Sequence, residues 1–67
     1  MAGPFDMDAF LQRMTTLDRA EIVAATRAEI SKYDEMQRRA KGALRAAARE
    51  HRQQLAAFLD QVLKQGQ

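Results

Sequence analysis

The side chains that could do chemistry are few, and most stand in one part of the chain. There is one histidine, His51, one tyrosine, Tyr33, and no cysteine. A covalent catalytic set needs a base beside a nucleophile, with a third group to orient the base. The helical phase puts His51 on the inner face with Tyr33. That placement suits a buried, hydrogen-bonded imidazole better than a catalytic one. A metal site in a helical bundle calls for Glu-x-x-His or several inward carboxylates. Glu50 and His51 are adjacent instead and would point about 100° apart on a helix. No Gly-rich phosphate loop is present, and without cysteine there is no thiolate zinc site. The sequence reads as non-enzymatic, with no catalytic residue, metal ligand, cofactor or small-molecule substrate.

A row of cations is more specific. Arg38, Lys41, Arg45, Arg49 and Arg52 recur at steps of three and four. On one continuous helix they would fall within about 80° of each other and run roughly 21 Å. Each like-charged neighbour pair at that spacing costs about 0.2–0.5 kcal/mol at low salt, roughly 1–2 kcal/mol for the row. Alternating Glu and Lys would be as hydrophilic and more stable. The row therefore suits an anion-binding face for phosphate backbone, an acidic protein or anionic lipid. It also suits a plain solvated face, partly neutralised at its edge by Asp34→Arg38 and Glu35→Arg39 pairs. No aromatic stacking platform or base-reading Asn accompanies it, so nucleic acid would be held by backbone alone. Five phosphate contacts correspond to a log–log salt slope of about −4.5 on duplex DNA.

The elements that must position these residues are helices. The chain has 67 residues, net charge +2 and 46% apolar residues. Thirteen of those apolar residues are Ala, and only two Val and two Ile are present. Ala, Arg, Gln, Glu, Leu and Lys dominate, all strong helix formers, and no alternating strand pattern occurs. The fold expected is all-α and a single domain over residues 1–67.

A first helix is expected over about residues 6–16. Acidic Asp6 and Asp8 lie at its start, and Met7, Phe10, Leu11, Met14 and Leu17 form one stripe. Asp18 with Glu21 reads as a capping box, and Leu17 with Ile22 as a hydrophobic staple. From there an inward stripe runs through Ile22, Thr26, Ile30, Tyr33, Met36, Ala40, Leu44, Ala47, His51, Leu55, Phe58 and Val62. Its later part repeats every eleven residues, close to three natural helix turns.

Gly42 leaves two arrangements open. Helices of about 19–40 and 44–64 can form a hairpin, or one helix can run through. A hairpin brings Ile22 and Val23 to Val62 and Leu63, Ile30 to Leu55, and Tyr33 to His51. An antiparallel, coiled-coil-like dimer of straight helices makes the same contacts between chains.

At this size a lone core is marginal, and no disulfide or metal supports it. The first function expected is a non-catalytic protein–protein interaction or assembly module: an adaptor, co-chaperone-like protein or regulatory subunit. It would act as a homodimer, a higher oligomer or part of a heteromeric complex. Its packing or oligomer interface would use Phe10, Leu11, Met14, Ile22, Ile30, Tyr33, Leu44, Leu55, Phe58, Leu59 and Val62. The second is a small nucleic-acid-associated protein using Arg38, Lys41, Arg45, Arg49 and Arg52. The face behind the cations is mostly Ala, too weakly apolar for deep membrane insertion. Residues 1–6 lack the basic and apolar regions of a secretory signal. A cytoplasmic location is the expectation.

Overall fold

A computed structural model describes residues 5–65. Met1–Pro4, read above for a targeting signal, lie outside the described residues. Three helices follow one another: α1 (Met7–Met14), α2 (Arg19–Arg39) and α3 (Gly42–Gln65). Helices α2 and α3 pack as an antiparallel hairpin. No strand occurs among the described residues.

Local chemistry sets each boundary. The Asp6 carboxylate accepts from the Ala9 N–H at 3.2 Å and caps α1. The helix ends at Met14, two residues short of the expectation, because Thr15 and Thr16 turn their hydroxyls to backbone. They donate to the Gln12 and Arg13 carbonyls at 2.6 and 3.1 Å, which competes with further helix. The Asp18 capping box is present in both directions. The Glu21 N–H donates to Asp18 at 2.8 Å and the Asp18 N–H donates to Glu21 at 3.1 Å. Losing such a cap costs about 0.5–2 kcal/mol. Asp18→Ala is expected to lower stability by about 1 kcal/mol in urea unfolding with no change in slope. An effect below a few tenths would mean that Glu21 and water replace the cap.

The chain breaks after α2. Ala40 is extended, at φ −82° and ψ 161°, and its N–H closes the last turn on the Met36 carbonyl at 2.8 Å. Gly42 then takes φ +63°, a conformation that side chains disfavour. The continuous-helix alternative is therefore not the arrangement adopted. Helix α3 starts at Gly42, two residues earlier than expected, because the turn is closed by Ala40 and Lys41 alone.

Phe10, Met14, Tyr33, Ala48 and Leu55 form the buried core, and Phe5, Met7, Leu11, Leu17, Ile22, Ala25, Ile30, Met36 and Phe58 pack on it. Thr26 is fully buried, and its hydroxyl donates to the Ile22 carbonyl at 2.7 Å, which satisfies it. The two helix ends opposite the turn meet where Arg19 Nη2 donates to the Leu63 carbonyl at 3.3 Å.

Two expected inward positions differ. Ala48, not Ala47, is the fully buried alanine of α3, and Ala47 is only half-buried. A run of alanines has no large side chain to fix its phase, so the innermost position departs from the extrapolated repeat. Leu44 is 48% exposed. It continues the stripe of Ala48, His51 and Leu55, but the hairpin reaches past its third helix there.

The reach of α1 explains this. Eight residues make it about 12 Å long, whereas α2, with 21, runs about 32 Å. Phe5 sits edge-on to Tyr33 at 4.7 Å between centroids, halfway along the hairpin, and Phe10 sits edge-on to Phe58 at 6.0 Å, nearer its open end. Helix α1 thus runs parallel to α3 and covers the open half of one hairpin face. Among the described residues, nothing covers the half next to the turn, where Leu44 is exposed.

Candidate functional site

The bare half-face carries an open groove of about 420 Å³, lined by Lys32, Glu35, Met36, Arg39, Ala40 and Leu44. Met36 and Ala40 are half-buried, while Leu44 stands out into solvent. The rim is charged: Arg39 Nε meets Glu35 at 2.9 Å, and Lys32 Nζ lies 5.5 Å from the Tyr33 ring centre. Apolar floor and charged rim together suit a packed side chain from another helix, with charges that can re-pair around it.

The opposite hairpin face carries the cations. Asp34 follows Tyr33 and Arg52 follows His51, so both turn about 100° away from the contacts under Phe5. They form an ion pair at 3.3 Å that bridges α2 and α3, with the buried Arg52 Nε close to the carboxylate but not aligned to hydrogen-bond to it. Arg38 reaches Asp34 at 3.8 Å and Glu35 at 2.7 Å. Two carboxylates thereby hold Arg38, Arg39 and Arg52. Lys41, Arg45 and Arg49 are exposed and form no ion pair among the described residues.

The single-helix row expected from spacing is therefore corrected. The break before Gly42 places Arg38 on α2, Lys41 in the turn, and Arg45, Arg49 and Arg52 along one face of α3. Arg38 and Arg52 still border the same face, because both contact Asp34.

His51 is 5% exposed and lies edge-on to Tyr33 at 4.5 Å, with Phe5 tilted over it at 5.6 Å. The expected neighbour is present, but the contact is ring to ring. His51 Nδ1 is buried with no hydrogen-bond partner among the described residues, which corrects the hydrogen-bonded reading. No group of three His, Cys, Asp or Glu side chains that could hold a metal occurs among the described residues. No helix among them is long and apolar enough to cross a membrane.

Of the packing residues expected, Phe10, Met14, Tyr33 and Leu55 are buried, and Leu11, Ile22, Ile30, Phe58, Leu59 and Val62 are half-buried. Leu44 alone is exposed. Spacing did not flag Phe5, Ala48 or the cross-helix role of Asp34. Phe5 carried a readable signal: it precedes the Asp6 cap and stands five before Phe10, the positions of a hydrophobic staple. Asp34 and Arg52 lie eighteen residues apart, and only the turn brings them together.

Comparison with family models, curated proteins and solved structures returns no match.

Proposed function

We propose that this chain is a non-catalytic helical interaction module that works as a homodimer, or as one member of a larger assembly, through its bare half-face. The observation that carries the reading is Leu44, 48% exposed beside the groove of Met36 and Ala40. A second copy is the occupant favoured. The face that bears α1 is a step, with one half raised and the other open. A two-fold axis at the level of Tyr33 lays each raised half over the other's open half, which is the self-complementarity that an isologous interface requires. The same operation brings the acidic start of α1, Asp6 and Asp8, beside the Lys32 edge of the other copy's groove. A chain of this size gains much from such cover, because its own core is small.

Sedimentation of the full chain tests the reading. The expected species is about twice the 7.6 kDa chain mass. Leu44→Asp is expected to give a monomer with its helix content intact, since an exposed substitution changes stability by only about 0.5 kcal/mol. A wild-type chain that stays monomeric at high concentration and melts cooperatively would remove the case for self-association.

A further inference from the structure

The cationic face lies on the other side of the hairpin and has no part in that dimer. Its composition is costly. Arg45 and Arg49 are like-charged at i and i+4, and Arg49 and Arg52 at i and i+3. The first turn of α3 holds no acid, although the positive end of the helix favours one there, and Lys41 and Arg45 stand at it instead. Asp34 and Glu35 meet three of the nearby guanidinium groups and leave Lys41, Arg45 and Arg49 unpaired among the described residues.

We infer that Lys41, Arg45 and Arg49 are a contact row for the phosphate backbone of a nucleic-acid duplex, with Arg52 withheld from it by Asp34. Three features select this ligand among anions. The array is elongated: Arg45 and Arg49 stand about 6 Å apart along one face of α3 and Lys41 lies in the turn just before it, which suits a linear polyanion. No large apolar side chain stands in it, since Leu44 points to the groove side, so it lacks what a membrane surface or a protein interface core needs. Finally, Phe10 and Tyr33 belong to the buried core, and Phe5 and Phe58 pack on it. None is free to stack on an unpaired base, so a duplex fits and a single strand does not. Binding would be by charge alone, without base reading. In the two-fold dimer the two rows face away from each other, so one duplex meets one row.

Asp34 makes the inference sharper than a bare basic patch would. Its carboxylate sits inside the cationic face and holds Arg52 at 3.3 Å. Removing that charge frees Arg52 to extend the row, whereas Arg38 keeps its closer partner Glu35 at 2.7 Å. Three phosphate contacts give a log–log salt slope of about −2.7 and four give about −3.6. Between 50 and 200 mM salt the affinity then falls about 40-fold for the wild type and about 150-fold for Asp34→Asn.

The experiment titrates a mixed-sequence DNA duplex of about 20 base pairs at several salt concentrations, using the full chain and its Leu44→Ser form. The second form removes the exposed leucine without adding a charge beside Lys41 and Arg45, and so separates this result from the dimer. The expected outcome is binding at 50 mM salt with a slope near −2.7, steepened by Asp34→Asn. The Arg45→Gln/Arg49→Gln double variant should bind weakly with a slope near −0.9, while its thermal midpoint stays level or rises. Absence of binding at 50 mM salt overturns the inference. So does unchanged binding by the double variant, or a slope that Asp34→Asn leaves alone. Capture by anionic vesicles without capture of the duplex would assign the row to lipid and also overturn it.

Discussion

Leu55→Ala is expected to leave the lone chain without a cooperative unfolding transition. Leu55 is fully buried at the centre of the core formed with Phe10, Met14, Tyr33 and Ala48. Truncating a buried leucine costs about 2–5 kcal/mol, from lost transfer energy and the cavity left behind. A chain of this length has a total stability of roughly 3–10 kcal/mol at typical values per residue. At mid-range values the loss takes about half of the whole. Its core is thin as well: the Cα extents are 38 × 24 × 15 Å, so little surrounding structure can collapse into the gap. Circular dichroism through a thermal ramp reads the result. The wild type should show one sigmoidal transition, and the variant a shallow, concentration-dependent one. A variant that melts cooperatively within a few degrees of wild type would mean that the core lies elsewhere.

Gly42→Ala is expected to change the association of the chain rather than only its stability. An added Cβ would meet nothing within 4 Å, so the obstacle is not a clash. It is the positive φ of +63°, which costs an L-residue about 1–2 kcal/mol. In a continuous helix the same replacement gains about 1 kcal/mol, because Ala is the better helix former. The two terms add, and the balance moves by about 2–3 kcal/mol toward a straight helix joining α2 to α3. Straight chains recover their contacts by pairing antiparallel, which is a domain swap. X-ray scattering separates this species from the dimer built on Leu44, because its long axis would be about 70 Å rather than that of a hairpin. Replacement of Gly42 by D-alanine tolerates positive φ and should keep the hairpin. An L-alanine variant with wild-type mass and stability would show that the turn is held by tertiary packing alone.

The same energetic balance marks the limit of what the sequence could reveal. Helix type, the Asp18 capping box and the inward stripe from Ile22 to Tyr33 were legible, because each rests on neighbours within one or two turns. Asp18 and Glu21 had only to meet each other. Gly42 was not legible as a turn: break and continuation differ by about the cost of one glycine in a helix. The phase of α3 slipped for a related reason. Residues 43–48 contain four alanines, and a segment of methyl groups does not mark its own inner side. Leu44, its one large apolar residue, looked like core because nothing local says where α1 stops.

The candidate surfaces followed the same division. All five cations of the row were visible from spacing. Their partition between paired and unpaired was not, because the partner Asp34 belongs to the other arm of the hairpin.

Phe5 and Phe10 fasten α1 to the hairpin by edge contacts of 4.7 and 6.0 Å. Eight residues make few backbone hydrogen bonds, and segments of that kind breathe away from a fold more readily than the helices beneath them. Each such breath would let water in to the chain's single imidazole, whose Nδ1 otherwise finds no partner among the described residues. Hydration of that nitrogen compensates part of what lifting α1 loses in apolar contact. Solvent access to His51 is therefore expected to track how often α1 lifts.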